Sequence, residues 1–149
     1  MFVPQDPDFA AKTRASFDRQ AIMKTMGVEM TSVEAGRCEL VMPFHPDFTQ
    51  QHGYLHAGAV TTVADSAAGY AAFTLMPANS SVLSIEFKQN LLSPAAGEAL
   101  IARGEVVRAG RTITVVEARA FMRKDGAEKL IGIMVATMMC MHGRSDAQG

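Results

Sequence analysis

Asp65 is the only formal charge between Phe48 and Ile85. Small neutral residues surround it, among them Thr61, Thr62, Ser66 and Gly69. A carboxylate in such a setting can attack an electrophile or take a proton from water. It can equally be a partly exposed or capped Asp without chemistry, and spacing leaves both readings open. Just upstream, His52-Gly-Tyr-Leu-His56-Ala57-Gly58 leads into a helix. A helix start offers backbone N–H groups with no internal partner and a partial positive charge. The Ala57-Gly58 step can therefore polarise a carbonyl oxygen. His52 and His56 are turn-stabilising hydrogen-bonders in the plainer reading and proton carriers in the sharper one.

The helix that must hold these groups runs from Gly58 to Leu75 and stops before Pro77. At about 100° per residue, Val60, Val63, Ala64, Ala67 and Ala71 group on one face. Thr61, Thr62, Asp65, Ser66 and Gly69 fall on the other. Alanine favours helix, and its small side chain lets a sheet come close. Upstream, an N-terminal helix spans about residues 6–26, capped by Asp6, opened by Pro7 and ended by Gly27. Its loose apolar stripe is Phe9, Phe17, Ile22 and Met26, expected to pack over a sheet edge or a binding tunnel. Residues 28–42 alternate as a hairpin turned at Ala35-Gly36. A loop rich in Gln and His, His45 to Tyr54, then leads to the central helix.

Beyond Pro77 come four strand-like runs, 82–92, 99–109, 112–124 and 130–141. Ser93-Pro94-Ala95-Ala96-Gly97, Ala109-Gly110 and Asp125-Gly126 connect them. This order predicts an α+β domain in which a curved antiparallel sheet wraps around one long apolar helix. Glu86, Lys88, Glu105, Glu117 and Arg119 are expected to form a charged sheet face with cross-strand pairs. The polar tail, residues 142–149, is expected to fray.

The 149 residues suffice for one domain with a real core. Hydrophobic residues are 48% and charged residues 19%, a globular balance. A net charge of −1 provides no basic field for nucleic acid. No apolar run reaches membrane-spanning length, so no membrane partner is expected. The N-terminus lacks the basic start and apolar core of a secretory signal. Cys38 and Cys140 have no metal-ligand spacing, so no metal is expected, and free thiols in a reducing cytoplasm are the simplest account. The eleven Met residues are expected in a core or an interface.

Gly53-Tyr-Leu-His56-Ala57-Gly58, the helix with Asp65, then Ser84-Ile-Glu86-Phe, Ser93-Pro94 and Arg108-Ala-Gly110-Arg111 carry a family likeness. Over about residues 22 to 140 the chain resembles the hot-dog-fold acyl-CoA thioesterases of the PaaI-like, phenylacetate-degradation type. The resemblance implies that two subunits pair into a continuous sheet, with active sites at their interface. It makes Asp65 the catalytic carboxylate, acting as nucleophile or as base for water. It makes the Ala57 N–H the group that polarises the thioester carbonyl, with His56 and Gly58 flanking it. Ser84 matches a residue that helps place the attacking water. Leu91, Ser93 and Pro94, and Arg108, Gly110, Arg111 and Thr112, match segments along the pantetheine and phosphate path of CoA. CoA is then part of an acyl-CoA substrate, and no separate cofactor is implied.

Two positions depart from the family pattern. Gln50 stands where an Asn often orients the thioester or the water, which keeps an amide on a longer arm. Ala57 replaces a Gly and still offers an N–H if its backbone is ordinary. A positive φ there would cost about 1 kcal/mol or more.

Asp65 lies eight residues beyond Ala57, about 12 Å along a helix. One carbonyl group cannot touch both, so the mechanism demands a homodimer whose two-fold axis brings Asp65 of one chain opposite Ala57 of the other. Such dimers can pair again into a tetramer. Two other functions share the fold. One is a non-catalytic acyl-CoA binding module. The other is an (R)-specific enoyl-CoA hydratase, for which Asp47 and His52 have suitable spacing but lack the intervening Asn-Pro.

Overall fold

The computed structural model describes residues 2–144; residues 145–149, most of the expected fraying tail, lie outside the described residues. Helices α1 (Phe9–Arg19) and α2 (Ala21–Met26) precede the hairpin strands β1 (Glu29–Glu34) and β2 (Arg37–Pro43). A 3-10 turn (Pro46–Phe48) and the central helix α3 (Ala57–Phe73) follow, then β3 (Ser80–Leu91), β4 (Ala99–Ala109), β5 (Ile113–Lys124) and β6 (Ala127–His142). All six strands join one antiparallel sheet in the order β1-β2-β4-β5-β6-β3. With α3 packed on its inner face this is the α+β hot-dog arrangement that the sequence predicts.

The core follows from the alternation of the strands. Cys38, Leu40 and Met42 of β2 turn inward with Leu100, Ala102 and Val106 of β4. Val116, Ala118, Ala120 and Met122 of β5 and Met134, Ala136 and Met138 of β6 do the same. Against them α3 buries Val60, Val63, Ala64, Ala67 and Ala71, the face that the helical periodicity selects, and also Phe73 from outside that face. Gly104 sets the distance between helix and sheet. A Cβ there would stand 2.3 Å from the Ala67 carbonyl oxygen, so only glycine lets β4 pass under α3. Both cysteines are free and buried, and burial pushes the Cys38 thiol up to about 12.

Several local expectations are corrected. The N-terminal helix is two helices, because Gln20 takes an extended conformation (φ −76°, ψ 100°) between them. Asp6 does not cap at the helix boundary. Its side chain accepts from the Asp8 N–H and pairs with Lys12 at 3.3 Å, and the helix starts at Phe9. The break rotates the apolar stripe, so Met23 is buried while Ile22 is 49% exposed. In β1 a bulge between Met30 and Ser32 exchanges inward positions, so Val33 rather than Ser32 packs against the core. Ser66 and Gly69, expected on the open face of the central helix, are buried. The charged face carries Arg37–Glu105 across strands, but Arg119 pairs with Glu117 two residues away on its own strand.

The strand β3 ends the sheet with one side unpaired. Leu83, Ile85, Phe87 and Leu91 on it are all exposed. A long edge with apolar side chains is the kind of surface that pairs with another strand.

Candidate active site

The turn before α3 is built by short-range hydrogen bonds. Thr49 bridges Leu55, Gln50 N–H donates to the Tyr54 carbonyl, and His56 N–H donates to the Phe48 carbonyl at 2.8 Å. Gly53, at φ 83°, makes the reversal. The side-chain oxygen of Gln50 accepts the His52 N–H, which leaves its NH2 as the group able to donate outward.

His56 is the N-cap of α3, its Nδ1 accepting the Gly58 N–H at 2.8 Å. This is the turn-stabilising role, and an unprotonated Nδ1 is what the bond requires. Ala57 has no positive φ, so no strain attaches to alanine in the family's glycine position. Its N–H is at the first helical position and makes no hydrogen bond among the described residues. A single donor at the helix start is thus left for an outside acceptor.

Gln50, His56 and Ala57 share a cleft of about 590 Å³ with Leu91, Ser93 and Pro94. Six of the expected site residues are therefore brought together in one chain.

Asp65 is not among them. It sits two turns further along α3, half-buried, and Ser84 Oγ of β3 donates to its Oδ1 at 2.7 Å. The two lie in a separate cavity with Ser16, Gln20, Ser66 and Tyr70. Arg108, Gly110, Arg111 and Thr112 form a third group, at the β4–β5 hairpin. The register places that hairpin beside the start of β3. Cys140 N–H bonds the Thr112 carbonyl, His142 meets the Arg111 carbonyl, and Ser80 pairs with His142. Leu91, by contrast, pairs with Gly132 at the other end of the same strand pair. Within one chain the two segments expected along the CoA path are at opposite ends of β3.

The outward face of α3 links the first two groups. Gly58, Thr61, Thr62 and Asp65 stay uncovered or partly so along its first half, whereas Ser66 and Gly69 are buried, Ser66 against Gln20 at the break between α1 and α2. Thr61 hydrogen-bonds both the Ala57 carbonyl at 2.8 Å and Gln89 of β3 at 2.6 Å. The sequence did not mark Gln89 or Gln20 as site residues. Gln89 sits in an ordinary strand alternation, and Gln20 lies at a helix break that neither Pro nor Gly signals. Among the described residues no group of three or more His, Cys, Asp or Glu side chains could hold a metal ion. No described helix is long and apolar enough to cross a membrane.

The sequence and the fold are similar to those of known proteins. The chain matches the thioesterase superfamily over residues 52–129, just over half of its length. It is 51% identical to a solved thioesterase family protein from Silicibacter pomeroyi, covering 91% of this chain and 99% of that one at a TM-score of 0.89. It is 27% identical to a 1,4-dihydroxy-2-naphthoyl-CoA hydrolase of Listeria monocytogenes, over 78% of this chain and 93% of that protein. The E. coli PaaI protein from the phenylacetic acid degradation operon shares the fold at a TM-score of 0.81 and 18% identity, over 93% of this chain and 96% of its own. The chain belongs to the thioesterase superfamily and is a thioester hydrolase with a PaaI-like hot-dog fold.

Proposed function

We propose that the thioester cleaved is that of an acyl-CoA, and that each site is shared between the two subunits of a homodimer. The observation that carries this reading is the separation of two chemically complementary groups on one open helix face. The unbonded Ala57 N–H lies at its start and the Ser84-held Asp65 carboxylate two turns on, about 12 Å apart along the helix. A two-fold axis that pairs the unpaired β3 edges antiparallel would set the Asp65 end of one chain against the Ala57 end of the other. The same operation would bring the Arg108–Thr112 hairpin of one subunit toward the Leu91–Pro94 segment of its partner. Both halves of the expected CoA path then meet.

In such a site the Ala57 N–H and the helix dipole stabilise the oxyanion that forms on the thioester oxygen. Asp65 either bonds directly to the carbonyl carbon or removes a proton from the water that does. In both routes the C–S bond breaks, the sulfur leaves as the CoA thiol after taking a proton, and water supplies the oxygen of the free acid. Ser84 fixes one carboxylate oxygen while the other accepts no bond among the described residues. The NH2 of Gln50 is available to orient the thioester or water from the Ala57 side. The Listeria relative, named as a hydrolase of an aryl-CoA, supports CoA as the leaving group.

Thiol release from a panel of aliphatic and aryl acyl-CoAs tests this reading. Asp65→Asn is expected to lower turnover at least about a hundredfold, the loss of a general base or nucleophile. Unaltered turnover in that variant would overturn the role of Asp65. Water addition to crotonyl-CoA without thiol release would replace hydrolysis with hydration, and CoA binding without either product would leave only a binding module.

A further inference from the structure

Thr61 lies midway between the two reacting groups of α3, one turn after Ala57 and one turn before Asp65. Its hydroxyl has one proton and two oxygen neighbours, the Ala57 carbonyl at 2.8 Å and Gln89 Oε1 at 2.6 Å. In that setting Gln89 Nε2 is buried and has no acceptor among the described residues. The two ends of an amide have the same shape, and the hydrogen-bond pattern decides between them. Turning the Gln89 amide over lets its NH2 donate to Thr61 Oγ and frees the Thr61 proton for the Ala57 carbonyl. The amide oxygen then takes the buried place, where a missing donor is tolerated better than a missing acceptor. The result is an ordered chain from Gln89 through Thr61 to the first residue of the helix.

We propose that Gln89 is a positioning residue for hydrolysis, holding the first turn of α3 through Thr61 so that the Ala57 N–H stays aimed at the thioester oxygen. The proposal rests on the reading of Ala57 as the oxyanion donor given above. Helix ends fray, and a donor serves catalysis best when its direction is fixed before the reaction.

The strand β3 is shaped for this tie as well as for the one to Asp65. Ser84 donates to Asp65 and Gln89 reaches Thr61, five residues further along the same strand. Regular alternation would send residues five apart to opposite faces. Here Ser84 stands opposite Met138 and Gln89 opposite Met134, both buried side chains of β6. The register slips between Ser84 and Glu86, with Ile85 as the extra residue. Glu86 consequently faces outward, where its carboxylate accepts from Thr137 Oγ1. The bulge thus turns a second polar side chain of the edge strand onto the helix. If the two subunits pair through β3, the register of that pairing sets the Ala57 N–H of one chain against Asp65 of the other.

The test is steady-state thiol release from the acyl-CoA that the wild-type protein turns over fastest. Gln89→Met keeps the length of the side chain and removes its amide. It is expected to lower kcat about fivefold or more with KM within about twofold of wild type. Thr61→Val should do the same, whereas Thr61→Ser, which keeps the hydroxyl, should retain at least about half of the wild-type kcat. The effects of Gln89→Met and Thr61→Val should not add, because either one breaks the same chain. In an Ala57→Pro background, which lacks the N–H, Gln89→Met should change kcat by less than about twofold. A Gln89 that serves packing alone would lower kcat by the same factor in both backgrounds. Wild-type kcat in Gln89→Met, or an undiminished effect in the Ala57→Pro background, would overturn the proposal and leave the oxyanion reading standing. If Gln89→Met does not fold, Thr61→Val in the two backgrounds decides in the same way. If Ala57→Pro itself turns over at the wild-type rate, the oxyanion reading fails and the positioning role falls with it.

Discussion

Ser84 Oγ lies 2.7 Å from Asp65 Oδ1, so the outermost strand holds the one carboxylate of the central helix. The bond holds Asp65 by one oxygen and leaves the second without a hydrogen bond among the described residues, the oxygen proposed to act on the thioester or the water. A hydrogen bond to a charged group contributes about 1.5–3 kcal/mol, which corresponds to roughly ten- to a hundredfold in rate if it is felt in the transition state. Ser84→Ala is therefore expected to lower kcat by about tenfold or more with KM little changed. Steady-state thiol release reads both parameters. A variant in which KM alone rises would show Ser84 to be a binding residue.

The sequence made the core and the carboxylate legible for the same reason. The helical face of Val60, Val63, Ala64, Ala67 and Ala71 is set by periodicity, and periodicity is a local property. The lone charge in a neutral stretch is likewise visible without coordinates. What stayed hidden depends on elements distant in the chain. Ser66 and Gly69 share the open face of α3 with Asp65 by angle alone, yet both are buried, Ser66 against Gln20 at the break between α1 and α2. Nothing in the alternation of β3 marks Gln89 as the partner of Thr61, 28 residues away. The bulges in β1 and β3 change which side chains face inward, and no Pro or Gly stands at either.

Gly104 gives a test of how closely helix and sheet are fitted. Its missing Cβ would collide with backbone, the Ala67 carbonyl oxygen at 2.3 Å and the Ala68 nitrogen at 2.9 Å, so no side-chain rotation relieves the clash. Gly104→Ala must push α3 off β4. Overpacking of this kind costs about 1–3 kcal/mol, and the melting temperature should drop by roughly 5–10 °C. Differential scanning calorimetry measures it. Gly126→Ala is a useful contrast, because that position has open space around it but a φ of 76°, so its cost is conformational.

On the outer face of the sheet Arg103 bridges Glu39 and Glu128, each at 2.6 Å, and stacks 5.0 Å from the Phe121 ring centre. The Arg103 hydrogen bond holds Glu128 below the usual carboxylate range. For Glu39 partial burial opposes ionisation, but hydrogen bonds from Thr31 and Arg103 outweigh it and its pKa also falls. Both groups are lower in the folded state than in the unfolded one. Their stabilisation is present above the unfolded glutamate value, about 4.3, and is lost as pH falls through their folded values. Arg103→Met should then cost about 1 kcal/mol at pH 7, with the gap to wild type closing below about pH 4. Urea titrations at pH 7 and pH 3.5 compare the two.

Whether the site is shared can be settled with two inactive chains. Position 57 is the first residue of α3, where proline is tolerated because its missing N–H has no helical partner. His56 before it already has the extended conformation that proline demands (φ −63°, ψ 142°). Ala57→Pro therefore removes the N–H proposed as the oxyanion donor while keeping the helix start. Its stability should stay within about 1 kcal/mol of wild type, and turnover should fall about a hundredfold or more. Asp65→Asn lacks the carboxylate instead. When the two inactive proteins are unfolded together and refolded, half of the dimers are mixed. In each mixed dimer one site joins an intact Asp65 from one chain to an intact Ala57 from the other, and the second site is doubly defective. Activity should return to about a quarter of the wild-type value. A site confined to one chain cannot be rebuilt by mixing, so a refolded mixture as inactive as its parents would refute the shared site.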